Sequence, residues 1–284
     1  MNQNLIDQFV TILRMQRYAD RSVKTYASHL AYFLRLSAKH KAEDITDQQI
    51  ENFVIWLVEK RKVGHSYQKA MISTITKFYK EIFQRHICLK HLYPKRREYK
   101  LPKFLTRDEI KKILDATENI KHKAILMTIY SCGLRLSELL ELQIADIKVK
   151  EKLLLVRQSK GNKARLMVVS VKLLNVLRDY YKTYQPKNYL FEGKNSEKYS
   201  ERSVQQILKS SLKKAGVITR ASVYTLIHSY ATHLLENGID IRIIKDLLGH
   251  SNIKTTEIYI NITDINKNKD QYQNLGIKQK VLTI

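Results

Sequence analysis

Only eight glycines and three prolines interrupt the 284 residues of this chain. A backbone with so few places to turn without steric cost, or to lose an amide donor, favours long helices. The apolar residues agree. Leu5, Phe9 and Leu13 share one helical face, and Val23, Tyr26, Ala27, Leu30, Phe33 and Leu34 share another. Thr46 followed three residues later by Gln49 reads as a capping box that opens a third helix, with Ile50, Phe53, Val54, Leu57 and Val58 on its apolar side. Met71, Ile75, Phe78, Tyr79 and Ile82 mark a fourth. The spacing therefore predicts a four-helix domain over residues 1–95.

From Tyr93 to Lys103 the chain carries two prolines and five basic residues without apolar periodicity, so residues 96–105 read as a basic interdomain linker. Thr106 and Glu109 form a second capping box and open a second domain, 106–263. Helices are expected over 124–132, 137–142, 173–184, 201–215, 225–237, 241–248 and 255–260, with Gly133 ending the first of them. Leu153–Arg157 and Leu166–Val169 flank Ser-Lys-Gly-Asn-Lys, which predicts a β-hairpin. The polar tail, 264–284, reads as a mobile or partner-bound arm. The fold class is mainly α: a four-helix domain, then a mixed helical domain with a small antiparallel sheet.

Lys and Arg number 51 against 27 Asp and Glu, a formal charge of +24 spread along the chain. Basic groups distributed over a folded surface displace counterions from phosphates, so nucleic acid is the expected partner rather than a membrane. The polar start, Met1 to Phe9, and the lack of a long apolar run predict a cytoplasmic protein, and two cysteines make neither a disulfide framework nor a zinc site. His228 and His233 are five apart, not the four that aligns two imidazoles around a metal, and no phosphate-cradling Gly-x-x-x-x-Gly-Lys loop occurs. Without a carboxylate cluster for two metals, the expectation is chemistry with no metal and no cofactor.

Four patches stand out in order: Gly133-Leu-Arg135-Leu-Ser-Glu138-Leu; Ser159-Lys160-Gly-Asn-Lys; Tyr224-Thr-Leu-Ile227-His228; and Leu248-Gly-His250-Ser-Asn-Ile-Lys-Thr-Thr-Glu-Ile-Tyr259. Taken singly each has an ordinary reading. Arg135 is a solvated helix-start arginine, Lys160 surface charge, His250 a helix cap, Tyr259 one of 17 tyrosines, and Ile227 a core residue beside Leu226. As an ordered set, with nine residues from His250 to Tyr259, they resemble the tyrosine recombinases, or phage-type integrases, of the Xer-like subgroup.

That resemblance implies DNA cleavage and rejoining. Tyr259 would attack a phosphodiester to leave a 3′-phosphotyrosyl link and a 5′-hydroxyl. A phosphodiester gains charge in its five-coordinate transition state, and a guanidinium offering two parallel hydrogen bonds stabilises it without metal, which would be Arg135's part. Glu138 would orient Arg135, His250 would bind a phosphate oxygen, and Lys160 would protonate the leaving oxygen. Family members close around a duplex as a C-shaped clamp and work as tetramers on paired sites, some with a second recombinase.

The sequence departs from the family at one position. The usual His-x-x-Arg-His reads Tyr224-Thr-Leu-Ile227-His228 here. A phenol at 224 can still donate a hydrogen bond, but Ile227 cannot replace a guanidinium, and losing one such donor slows reaction on the order of a hundredfold to a thousandfold. Arg220 is near in sequence. The expectation is a recombinase of reduced activity; the alternative is a catalytically silent DNA-binding protein on the same scaffold.

Overall fold

The computed structural model describes residues 2–95, 102–157 and 164–260. The chain forms two compact units, Met1–Tyr99 and Lys100–Ile284, each with its own hydrophobic core.

The first unit holds α1 (Asn2–Met15), α2 (Asp20–Leu36), α3 (Asp47–Glu59) and α4 (His65–Phe83). The Thr46–Gln49 capping box is present in both halves, the Thr hydroxyl accepting from the Gln49 amide and the Gln side chain accepting from the Thr46 amide. Phe9, Leu13, Leu30, Phe33, Ile50, Met71, Ile75 and Phe78 are fully enclosed, each contributing about 1.5–3 kcal/mol by leaving water. Val58, expected on the apolar face of α3, is exposed instead.

The second unit contains α5 (Arg107–Asp115), α6 (Ile120–Cys132), α7 (Leu136–Glu141), α8 (Val171–Tyr184), α9 (Glu201–Lys214), α10 (Val223–Glu236) and α11 (Ile241–Leu248), and residues 254–260 are helical. The second capping box also forms, Thr106 with Glu109. Leu105, the last residue of the expected linker, belongs to this unit: it is buried and its amide donates to Ser229 Oγ on α10 at 2.8 Å. Residues 96–101 of that linker lie outside the described residues, as does the tail from 261 onward.

The sheet has three antiparallel strands in the order β1 (Ile147–Lys148), β2 (Leu153–Val156), β3 (Arg165–Val168), one strand more than the hairpin read from sequence. β2 and β3 pair with Leu154 opposite Met167 and Val156 opposite Arg165. That register turns Met167 and Arg165 toward the unit and leaves Leu166 and Val168 exposed, so an arginine faces inward where an apolar residue would be the ordinary choice. Among the described residues no helix is long and apolar enough to cross a membrane.

Candidate functional site

The site is built where α6 gives way to α7. Gly133 ends α6 in the left-handed conformation at φ 57°, and two residues later Arg135 stands at the N-terminus of α7. Glu138, on the first turn of α7, accepts from the Arg135 amide at 2.9 Å and from its guanidinium at 3.0 Å. The same carboxylate takes both terminal nitrogens of Arg165 from β3, at 2.9 and 2.8 Å. Its side chain is 1% exposed and that of Arg165 9%. Burial opposes ionisation of Glu138, but the two guanidiniums and the Arg135 amide outweigh it and lower its pKa.

Both arginines reach the turn that ends α11. Arg165 Nε donates to the Leu247 carbonyl at 2.7 Å, and Arg135 donates to the Gly249 carbonyl at 3.4 Å. Gly249 closes α11 at φ 62°, and a Cβ there would stand 3.2 Å from the Arg165 guanidinium and 3.5 Å from that of Arg135. His250 follows directly. Its ring is oriented by Thr256, Nδ1 to Oγ1 2.9 Å, and its pKa is pushed down to about 4, by burial first and then by Arg135 and Arg165. At neutral pH His250 is an uncharged imidazole that can hydrogen-bond but adds no positive charge.

Tyr259 lies on the helical stretch 254–260 and is 2% exposed. Its hydroxyl is 3.0 Å from His228 Nδ1. Burial raises the phenol's pKa to about 12, with Arg135 pulling the other way. His228 on α10 is itself lowered by burial and is neutral at pH 7.

Of the residues singled out from sequence, Arg135, Glu138, His250 and Tyr259 are tied into one cluster through these bonds and charges. Ile227 is 7% exposed and packs in the core of the unit, one residue from His228. Tyr224, on the first turn of α10, is exposed, and among the described residues no hydrogen bond or ring contact joins it to the cluster. Lys160 lies outside the described residues. Arg220 is exposed and unbonded to the cluster among the described residues.

Sequence reasoning gave no role to Arg165, Thr256 or His228. The signal for Arg165 was its place two residues before Met167 on the inward side of a strand. For the other two it was their position inside motifs already singled out.

Comparison with known proteins gives the same class. The family model described as Phage integrase family matches residues 103–265, and the one described as Phage integrase, N-terminal SAM-like domain matches residues 5–88. The chain is 34% identical over 269 residues to tyrosine recombinase XerA of Pyrococcus horikoshii, covering 93% of this chain and 90% of that protein. It resembles a crystal structure of XerA recombinase (TM-score 0.56, 26% identity, 96% of this chain and 98% of that one). It shares its fold with XerH site-specific recombinase bound to palindromic difH substrate in a post-cleavage complex (TM-score 0.73, 19% identity, 88% of this chain and 79% of that one). The chain belongs to the phage integrase family, on its Xer-like side.

Proposed function

We propose that this chain is a site-specific DNA recombinase that cleaves and rejoins DNA through a 3′-phosphotyrosyl link at Tyr259, at a rate reduced by Ile227. The observation that carries this reading is that the Arg135 guanidinium, bonded to the Gly249 carbonyl, lies close enough to the Tyr259 phenol to act on its charge. Phosphorus would be attacked by the phenol oxygen while Arg135, held in place by Glu138, meets the charge that accumulates on the non-bridging oxygens. His250 offers a neutral hydrogen bond to one of those oxygens, and Lys160 is assigned the proton for the leaving 5′-oxygen.

Double-stranded DNA is the partner, bound chiefly through phosphates by a chain of charge +24, and a homotetramer on paired sites is the working assembly. In the first unit a groove lined by Thr25, His29, His65, Ser66, Lys69 and Ser73 offers hydroxyl, imidazole and ammonium donors to a backbone. Acting on DNA places the protein in the cytoplasm, with the nucleoid.

A second reading, a catalytically silent DNA-binding protein, is favoured by the burial of Ile227 in the core, where the family carries a second guanidinium. The test uses a nicked duplex carrying the site that the protein selects from random sequence, with denaturation-resistant adducts scored on a gel. A weak adduct that disappears in Tyr259→Phe supports the recombinase. Bound duplex without adduct in the chain as it stands, with adduct only after Ile227→Arg or in neither, supports the silent binder.

A further inference from the structure

The Tyr259 phenol must lose its proton as it attacks, and two features make that hard. Burial raises its pKa to about 12, and the residue as a whole is only 2% exposed. A side chain within hydrogen-bond reach is the acceptor the geometry offers. His228 Nδ1 stands 3.0 Å from the phenol oxygen, within the range for direct transfer, and its ring is only partly buried, so it connects the enclosed hydroxyl to the outside.

We propose that His228 is the general base that accepts the Tyr259 proton during cleavage and returns it on rejoining. This rests on Tyr259 being the nucleophile. In the forward step the Oη–P bond forms as the P–O5′ bond breaks, the Oη proton passes to Nδ1, and the leaving 5′-oxygen takes a separate proton, assigned above to Lys160. In the reverse step the 5′-hydroxyl attacks phosphorus, and the tyrosine leaves and recovers its proton from the imidazolium. For this, neutral His228 must carry its own hydrogen on Nε2, leaving Nδ1 free to accept. Burial keeps the ring neutral at pH 7 and so competent. The titratable and charged groups around it are Tyr259 itself, the uncharged His250, and the arginines 135 and 165 that act on these two, and it is burial of the ring that opposes a lasting imidazolium. Position 224, on the same helix, holds an exposed phenol with no bond to Tyr259 among the described residues, whereas His228 Nδ1 is within hydrogen-bond distance of the Tyr259 hydroxyl.

The experiment compares the chain with His228→Asn, whose amide oxygen can still accept the phenol's hydrogen bond but cannot take up its proton. Adduct formation is followed against pH in the chain as it stands and in an Ile227→Arg background, with duplex binding measured alongside. Expected is a loss on the order of a hundredfold in adduct rate with binding unchanged. The original rate levels off above the His228 pKa, that of His228→Asn keeps climbing with hydroxide, and added imidazole rescues His228→Ala. Nitrogen-15 NMR of histidine-labelled protein reads the tautomer without any need for activity: Nδ1 unprotonated and shifted by Tyr259→Phe is the expected state. A proton on Nδ1, or adduct formation by His228→Asn at the original rate and pH profile, overturns the proposal. Absence of adduct from both backgrounds, with the expected tautomer present, counts against the recombinase reading and not against the hydrogen-bonded geometry.

Discussion

The Glu138 carboxylate receives both terminal nitrogens of Arg165, at 2.9 and 2.8 Å, and this pair fastens the small sheet to the helix that carries Arg135. Both side chains are nearly inaccessible, so removing one partner leaves a charge enclosed. Glu138→Ala is expected to destabilise the protein by about 3 kcal/mol or more, read by urea unfolding. Adding Arg165→Met to that variant removes the stranded charge and should restore most of the loss. A single-variant cost below about 1 kcal/mol would show that solvent reaches the pair after all.

Ile227→Arg tests the position at which the chain departs from its family. In the absence of DNA the new guanidinium enters an apolar core, and a loss of about 1–3 kcal/mol is expected in thermal melting. With a phosphate to meet, the same side chain should raise the rate of adduct formation on the order of a hundredfold while duplex affinity changes little. A rate that stays level or falls would mean that residue 227 does not face the scissile phosphate.

Much of this was legible from residues alone. The two Thr capping boxes, the glycine stop at Gly133 and the helical spacing of apolar residues are local signals, each decided within a few positions of itself, and each is found in the structure. The ordered motifs likewise brought out Arg135, Glu138, His250 and Tyr259, which the fold gathers into one cluster. What escaped were choices made over long sequence separation. Arg165 faces inward on a mostly apolar strand because Glu138, 27 residues earlier, is there to receive it; its place two residues before Met167 gives the face but not that partner. His228 meets Tyr259 across 31 residues for the same reason. Strand β1, two residues long, carries too little pattern to be seen.

Acid should loosen the second unit earlier than its carboxylates alone would. His233 and His250 both titrate near pH 4 in the fold, burial being the first cause in each, against an ordinary value of 6.5. Between those values the unfolded chain binds protons that the folded chain does not, so stability is complete above about pH 6.5 and declines as pH falls toward about 4. Glu138, whose pKa is lowered, adds its loss only below the ordinary carboxylate range, which leaves pH 6.5 to 5 to the histidines. His233 lies away from the cluster, bonded to the Tyr130 hydroxyl at 2.8 Å, so His233→Gln should flatten the melting temperature against pH in that window. An unchanged slope would assign the acid sensitivity elsewhere.

Gly133 and Gly216 offer a paired test of how the turn before Arg135 is held. Both have positive φ, 57° and 65°, so alanine at either takes on the left-handed strain of about 1–2 kcal/mol. At Gly216 an added Cβ meets nothing within 4 Å, whereas at Gly133 it falls 2.5 Å from Tyr230 Cδ1 and 3.1 Å from Leu248 Cδ2. Tyr230 is on α10 two residues beyond His228, and Leu248 ends α11 just before Gly249, so relief of that clash must move the supports of the Tyr259 cluster. Gly216→Ala should therefore cost about 1 kcal/mol and leave adduct formation intact. Gly133→Ala should cost about 2–4 kcal/mol and depress adduct formation together with stability. Equal costs for the two variants in urea unfolding would mean that Tyr230 yields freely, and that the tight packing behind Arg135 does not set its aim.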